Sequence, residues 1–313
     1  MTKKRPAASR SMEEENRQSR AKLGNLSGNK ISKARLVRYA RTAALFTAWI
    51  LDMGCREAAS WDEMDVQACF WLEYLWAEGK PKTLAADSLS AIQRFLQSKR
   101  RLPGAWALWS TWQKLEPAQQ TPPLPALLLF AMCHLAIEQS VPEMVAYLLI
   151  SFHCFLRPLE LLPVTGLDIW IAKNGKSATI TLMNTKTSGK KGPETITLDD
   201  PAVIWWLKRF NTGTAAPLLQ LTPQKLRSWF IAALATLGAI EPFQLYSIRS
   251  GGATADFIFH KSVERCMLRG RWRDIRTFTV YLKQPAALRL AAEYSANREL
   301  VERASLFQAM PYC

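Results

Sequence analysis

Hydrophobic residues recur at spacings of three and four through the first third of the chain, which is the period of an amphipathic helix. Glycine or proline interrupts this pattern at intervals, as expected where helices end. The predicted helices run from about Ser32 to a stop at Gly54, and over 62–78, 83–101 and 105–115. Residues 31–116 are therefore predicted to form a compact, all-helical domain.

The apolar faces of these helices are expected to build the core of that domain. The predicted faces hold Val37, Ala40, Ala44, Leu45, Ala48 and Trp49 in the first helix, and Val66, Phe70, Tyr74 and Ala77 in the second. In the fourth helix, tryptophans recur at threefold spacing at positions 106, 109 and 112. Core packing is a better interpretation of this stripe than a stacking surface for nucleic-acid bases.

A proline-rich segment separates this domain from the rest of the chain. Four of the ten residues from 116 to 125 are prolines. Proline lacks a backbone N–H and clashes with the preceding turn, so the segment cannot continue a helix. Residues 117–125 are predicted to be a linker.

The second domain, 126–313, combines helices with a small β element. Apolar helices are predicted over 124–138 and 142–156, and a short helix is expected between Pro158 and Pro163. Two runs rich in Thr and Ile within 177–198 enclose a loop with glycines and lysines, which predicts a β-hairpin. Further helices are predicted over 202–210, 222–237, 247–259, 261–269, 274–282 and 286–303. The predicted fold is mainly α: an all-helical N-terminal domain and an α+β domain with a small β-hairpin sheet.

The charge of the chain indicates a class of partner. It carries 41 Lys and Arg against 26 Asp and Glu, a net charge of +15. This balance favours an acidic partner, either nucleic acid or an anionic membrane surface. No apolar run approaches the roughly 18 residues that a membrane helix needs, which disfavours a membrane protein. Residues 1–30 are polar and basic and are predicted to be a mostly disordered arm.

The cysteines, the histidines and the missing motifs indicate which metal ions and cofactors are not expected. The six cysteines include no Cys-x-x-Cys pair. The cysteines and the three histidines do not stand at the spacing that zinc ligands have in known motifs. The sequence also lacks a Gly-x-Gly-x-x-Gly motif, a P-loop and a Gly-x-Ser-x-Gly motif. We therefore expect no metal ion and no nucleotide cofactor, in a reducing compartment.

One ordered set of residues in the second domain carries candidate chemistry. Its members are Phe-Leu-Arg157-Pro-Leu-Glu160, Asn-Thr-Lys186-Thr, Tyr246-Ser-Ile-Arg249, Gly-Arg-Trp272 and Tyr281. Trp272 follows Arg249 by 23 residues and precedes Tyr281 by nine. This order resembles the catalytic domain of the tyrosine recombinase (phage integrase) superfamily. That family has Arg-x-x-Glu/Asp, a hairpin lysine, His-x-x-Arg, His or Trp, and a tyrosine nucleophile. The helical domain at 31–116 is similar to the family's core-binding domain.

The resemblance implies a role for each residue. A DNA phosphodiester would move onto the hydroxyl of Tyr281 and back, which conserves the phosphoester energy without ATP or a metal ion. Arg157 and Arg249 would donate paired hydrogen bonds to the non-bridging oxygens. Lys186 would protonate the leaving 5′-oxygen, and Trp272 would donate its indole N–H to a phosphate oxygen.

The resemblance also implies partners. They are double-stranded DNA and a higher-order assembly on DNA, with no membrane and no small-molecule cofactor. Family members pass a C-terminal segment to a neighbouring subunit, and the predicted helix over 286–303 corresponds to that segment. The alternative is that this helix packs on its own domain. The expected location is the nucleus in a eukaryote and the cytoplasm otherwise.

Each residue also has an ordinary structural interpretation. Arg157 and Glu160 could form a simple ion pair three residues apart. Arg249 could serve only as a cap of a helix or as a partner in an ion pair, and Trp272 could belong to the core. Tyr281 lies between two apolar residues and could be a buried structural tyrosine. The hairpin loop holds two further lysines that compete with Lys186: Lys190 and Lys191.

Tyr246 departs from the family pattern, because it stands where histidine is usual. A phenol with a pKa near ~10 is a poor general base at neutral pH, although it can still donate a hydrogen bond to a phosphate. A site-specific recombinase or integrase is the favoured function. The alternatives are a catalytically degenerate relative that only binds DNA, and a type IB topoisomerase-like enzyme that shares the chemistry.

Overall fold

The structure is a computed structural model that describes residues 31–95, 102–117, 120–183, 185 and 192–310, together with 14, 17, 18, 20 and 21. The chain divides into two compact units, Met1–Gln119 and Gln120–Cys313. The division lies inside the predicted linker at 117–125. Most of the predicted basic arm at 1–30 is outside the described residues.

In the first unit, all regular secondary structure within the described residues 31–95 and 102–117 is helical. The helices are α1 (Lys33–Asp52), α2 (Trp61–Ala77), α3 (Lys82–Phe95) and α4 (Pro103–Leu115). Serine side chains cap the first two: Ser32 accepts from the N–H of Arg35 and Ser60 from that of Glu63. α1 packs against α3, and α2 packs against α4.

The core of the first unit uses other faces of α1 and α2 than the predicted ones. Val37, Val66 and Phe70 are 70%, 53% and 62% exposed. The buried positions are Thr42, Phe46 and Ile50 of α1, and Ala68, Trp71, Leu72 and Leu75 of α2. The prediction was wrong because apolar residues surround most of each helix. The period alone does not show which of these sides meets another helix, and in the structure the buried sides meet where Phe46 contacts Trp71 (centroids 5.9 Å apart).

The tryptophan stripe of α4 belongs to the same core. Trp112 is 5% exposed, and its ring centroid lies 5.2 Å from that of Trp76. Trp106 and Trp109 are partly buried against the core. The prediction of core packing for these tryptophans is confirmed.

The second unit is a helical body with one small sheet. Its helices are α5 (Ala126–Glu138), α6 (Pro142–His153), α7 (Pro201–Phe210), α8 (Pro223–Thr236), α9 (Leu245–His260), α10 (Val263–Gly270), α11 (Ile275–Thr279), α12 (Gln284–Ser295) and α13 (Arg298–Gln308). The strands are β1 (Ile169–Ile171), β2 (Ala178–Leu182) and β3 (Glu194–Leu198). The predicted fold class is confirmed, and no helix in the described residues is long and apolar enough to cross a bilayer.

The sheet is antiparallel in the order β1-β2-β3, and Ile180 lies opposite both Ile169 and Ile196. The predicted hairpin corresponds to β2 and β3. β1 was not predicted, because three residues are too short to show an alternating pattern. Lys186 lies in the loop between β2 and β3, outside the described residues.

Two predicted helices differ in the structure. Residues 158–163 form turns rather than a short helix. In these turns the Glu160 carboxylate accepts from the Arg157 N–H (2.9 Å), and Tyr147 donates to the carbonyl of Pro158 (2.7 Å). The predicted helix over 286–303 is interrupted, because Asn297 caps a new helix by accepting from the N–H of Leu300 (3.3 Å).

The last two helices belong to the core of their own unit. α13 packs along α5, where Phe307 stacks on Phe130 with centroids 6.1 Å apart. Leu290, Leu300 and Phe307 are at most 3% exposed. The structure therefore has this segment packed on its own domain, which was the alternative to exchange with a neighbouring subunit.

Candidate active site

A tight turn after α6 presents Arg157 and Glu160. The Arg157 guanidinium donates to Glu160 Oε1 (2.5 Å), and the backbone N–H of Arg157 donates to Oε2 (2.9 Å). Burial alone would raise the pKa of the Glu160 carboxyl, but the charge of Arg271 and the hydrogen bonds from both arginines outweigh burial and lower the pKa. Glu160 is therefore an anion that holds the Arg157 side chain, which is 25% exposed.

Arg249 lies on α9 and is fully buried. Its Nη1 donates to the carbonyl of Phe155, and its Nη2 donates to the carbonyl of Gly270 (2.8 Å). Burial, together with the nearby charges of Arg157 and Arg271, lowers the pKa of Arg249 to about 10. The guanidinium is still charged at neutral pH. Its Nε has no hydrogen-bond partner among the described residues.

Two glycines bring α9 close to its neighbours. A Cβ on Gly251 would lie 2.2 Å from the carbonyl oxygen of Leu124, and one on Gly252 would lie 2.0 Å from that of Phe152. Only glycine allows the backbones to approach this closely. The contact of Gly252 with Phe152 sets Arg249, three residues earlier, near the end of α6.

The rings of Trp272 and Tyr281 both lie against the Arg249 guanidinium. Arg249 Cζ lies 4.2 Å from the Trp272 ring centroid and 5.3 Å from that of Tyr281. The two rings are 5.1 Å apart. Trp272 is 8% exposed and also packs on Phe278, and the carbonyl of Tyr281 accepts from Thr254 (3.1 Å). Residues from three separate parts of the sequence therefore meet at one point.

Tyr246 lies in the first turn of α9 and is 44% exposed. It lines an open cleft of about 560 Å³ together with Arg157 and Glu160. Arg227 lines the same cleft and was not predicted from the sequence. Tyr246 is thus placed to meet a ligand that also meets Arg157.

Arg271 was also missed, although it stands inside the Gly-Arg-Trp motif that the sequence singled out. Its Nη2 donates to Glu160 Oε2 (2.6 Å), and its Nη1 donates to Glu194 Oε2 (3.1 Å). The guanidiniums of Arg157 and Arg271 therefore both donate to the buried Glu160 carboxylate, and the charge of Arg249 interacts with all three groups. The excess of positive charge suits an anionic ligand such as a phosphodiester. In the described part of the chain, no three His, Cys, Asp or Glu side chains are grouped to hold a metal ion.

Comparisons with solved structures identify related folds. The chain is similar to lambda integrase (residues 75–356), solved as a dimer bound to a COC′ core site, with a TM-score of 0.58, 13% identity, and 83% of this chain and 92% of that chain covered. It is similar to the Tn1549 transposon integrase in complex with transposon right end DNA, with a TM-score of 0.57, 13% identity, and coverage of 86% and 96%. For XerH recombinase bound to palindromic difH substrate, the TM-score is 0.50, the identity 13%, and the coverage 74% and 71%. No family model and no curated protein matches the sequence.

Proposed function

Because this chain has the fold of the tyrosine recombinases, we propose that it is a site-specific DNA recombinase that cuts and rejoins duplex DNA. One observation carries the proposal: the side chains of Arg249, Trp272 and Tyr281 form one cluster near the Arg157–Glu160 pair. Arg157, Arg249, Trp272 and Tyr281 are four of the six residues that the family resemblance predicted as catalytic, and the other two are Lys186 and Tyr246.

In the proposed reaction, the Tyr281 hydroxyl oxygen attacks the scissile phosphorus. The bond from phosphorus to the 5′-oxygen breaks, and a 3′-phosphotyrosyl bond forms. The proton of the Tyr281 hydroxyl passes to solvent water, and the 5′-oxygen takes a proton from Lys186. The reverse reaction, with a new 5′-hydroxyl, rejoins the strand. Arg157 and Arg249 would hold the non-bridging oxygens, where charge increases in the transition state.

The groups that enclose Arg249 must move before its guanidinium can bind a phosphate oxygen. Arg249 is fully buried, and two of its nitrogens donate to main-chain carbonyls. Access to a phosphate requires the Trp272 and Tyr281 rings to move away from the guanidinium. We propose that DNA binding causes this opening, and that Tyr246, already exposed in the cleft, donates to the phosphate.

Duplex DNA is the proposed partner, within a higher-order assembly. The net charge of +15 supports binding to a polyanion. Exposed basic residues lie in the first turns of α1: Lys33, Arg35, Arg38 and Arg41. Of the proteins named above, the Tn1549 integrase was solved with transposon right end DNA, lambda integrase with a COC′ core site and XerH with a palindromic difH substrate.

A DNA-binding protein that does not cleave is the second candidate. It is favoured by Tyr246 in place of histidine and by the burial of Arg249. Both features would leave the binding surface intact while removing a general base and a phosphate contact from the reaction.

Trapping of a covalent adduct tests the two functions. Duplexes selected from random DNA for binding are nicked near the selected site, so that a cleaved strand end diffuses away, and the products are separated on a denaturing gel. We expect a protein–DNA adduct with the unmodified chain and none with Tyr281→Phe, which keeps the ring and its packing but lacks the attacking oxygen. DNA binding should be equal for both proteins.

Three other results have definite meanings. Binding without an adduct in the unmodified chain would establish the non-cleaving candidate. An adduct that persists in Tyr281→Phe would show that another tyrosine is the nucleophile. Relaxation of supercoiled DNA without strand exchange between two sites would favour the topoisomerase-like alternative.

A further inference from the structure

The main chain at and just after Tyr281 is tied to α9, the helix that carries Arg249. The hydroxyl of Thr254, also on α9, donates to the carbonyl of Tyr281 at 3.1 Å and accepts from the N–H of Lys283 at 3.3 Å. One side chain thus holds the backbone on both sides of Leu282. Thr254 is fully buried, so these hydrogen bonds are shielded from competition with bulk water.

The side chain of Lys283 makes a second tie to the same segment. Its ammonium donates to the carbonyl of Thr121, in the chain that precedes α5. Lysine usually keeps its ammonium in water, but here burial lowers the pKa of the Lys283 ammonium. The Thr121 carbonyl therefore replaces part of the hydration that this ammonium has lost.

The position of Lys283 at the start of α12 is unfavourable for the helix itself. Lys283 is the N-cap residue, and its side chain makes no capping hydrogen bond, because lysine has no oxygen to accept from the first turn. A positive charge at the N-terminus of a helix is also opposed by the helix dipole. Helix formation therefore does not explain a lysine here, whereas the contact with Thr121 does.

The chain that accepts from Lys283 is itself fixed to α9. Leu124, three residues after Thr121, donates its N–H to the carbonyl of Ser247 at 2.9 Å. Leu124 is buried, and the prolines on either side of it restrict the backbone. Both ties therefore lead back to α9, one directly and one through the chain that carries Thr121.

We infer that Thr254 and Lys283 are positioning residues for the nucleophile. In the proposed reaction, the Tyr281 ring leaves the Arg249 guanidinium, and its hydroxyl then attacks a phosphate held by that guanidinium. Anchors on the main chain at 281–283 limit how far the ring moves, which keeps the attacking oxygen within reach of the phosphorus. The inference rests on the proposed recombinase function, and it assigns no phosphate contact to either residue.

The test separates the rate of adduct formation from the affinity for DNA. The covalent adduct is followed in single turnovers on the nicked duplexes, with the protein at saturating concentration, and the Kd is measured by fluorescence anisotropy. An anchor of the nucleophile that does not contact DNA changes the rate and leaves the Kd unchanged. Misplacement by about 1 Å can lower a rate by about 10²-fold, so we expect the loss of one of two anchors to cost about tenfold.

For Thr254, two substitutions separate the hydroxyl from the methyl group. Thr254→Val removes the hydroxyl and keeps the shape of the side chain, and it should form the adduct about tenfold more slowly with an unchanged Kd. Thr254→Ser keeps the hydroxyl and should react at close to the unmodified rate. Thr42→Val is the matched control, because Thr42 is also buried but donates to the carbonyl of Arg38 within α1, at 2.8 Å. It should leave the rate unchanged.

For Lys283, the charge has its own control. Lys283→Met should form the adduct about tenfold more slowly, whereas Lys173→Met, which removes a charge from an exposed residue between β1 and β2, should react at the unmodified rate. Lys283→Arg keeps a cationic donor and should recover most of the rate. We expect Lys283→Met to keep the unmodified slope of log affinity against log salt, since the loss of one phosphate contact would reduce that slope by about 0.9.

Either residue loses its assigned role if its variant, Thr254→Val or Lys283→Met, forms the adduct at the unmodified rate. The role of Thr254 is also overturned if Thr254→Ser is as slow as Thr254→Val, and that of Lys283 if Lys283→Met lowers the salt slope. Thermal unfolding identifies any variant that does not fold. If Thr254→Val does not fold, Lys283→Met and Lys283→Arg decide the inference.

The proposed function fails in a different way. An unmodified chain that binds the duplexes and forms no adduct contradicts the recombinase function, and with it the need for a positioned nucleophile. An unmodified chain that forms the adduct, together with variants that form it equally fast, contradicts the positioning role alone.

Discussion

Glu160 receives three hydrogen bonds, two from Arg157 and one from Arg271. Bonds of this kind to a charged group contribute about 1.5–3 kcal/mol each. The pair of Arg157 with Glu160 could be predicted from the sequence, because the two residues are three apart. The third bond could not, since Arg271 lies 111 residues further along and no local period connects such distant positions.

The lowered pKa of Glu160 predicts a dependence of stability on pH. The carboxyl titrates near 4.5 in an unfolded chain and lower in the folded one. Its ionised form therefore stabilises the fold above about pH 4.5, and this contribution is lost as the pH falls through the folded pKa. We expect the free energy of unfolding, from urea titrations between pH 7 and 3, to fall less steeply below pH 4.5 in Glu160→Gln than in the unmodified chain. Parallel curves would contradict this role.

The sequence predicts the bounds of the helices more reliably than it predicts which side of each helix is buried. The bounds of α2, α4 and α7 agree with the sequence pattern within about two residues, because caps and prolines act locally. The buried side of α1 was missed, since partners on α2 and α3 determine which of several apolar sides is covered. Similarly, three residues become β1 only because β2 offers them a pairing edge.

The packing of α13 gives a prediction at the scale of the element. Phe307 is 3% exposed and stacks on Phe130, whereas its neighbour Leu306 is 49% exposed. We expect Phe307→Ala to lower the free energy of unfolding by about 3–5 kcal/mol, because it leaves a cavity between α13 and α5. Leu306→Ala on the same helix should cost about 1 kcal/mol or less. Equal effects in urea denaturation would show that α13 does not pack on α5 in solution.

At the scale of the whole molecule, charge dominates the expected behaviour towards DNA. With a net charge of +15, much of the binding free energy should come from the release of counterions that neutralise DNA phosphates. We expect the affinity for a selected duplex to fall by about 10³-fold or more between 50 and 200 mM salt, measured by fluorescence anisotropy. A salt-independent affinity would contradict a phosphate-directed interface.

The glycine contacts of α9 divide the candidate site into two parts with different local stability. Gly251 and Gly252 hold α9 close to Leu124 and Phe152, so we expect the backbone around Arg249 to open only when the whole unit unfolds. Residues 271–282 contain no glycine, so no backbone contact of this kind holds that segment. In hydrogen–deuterium exchange, we expect amides of 247–254 to exchange at the global rate and those of 271–282 to exchange faster. Release of Arg249 would then take place by motion of the segment that carries the nucleophile, and equal protection of both segments would contradict this.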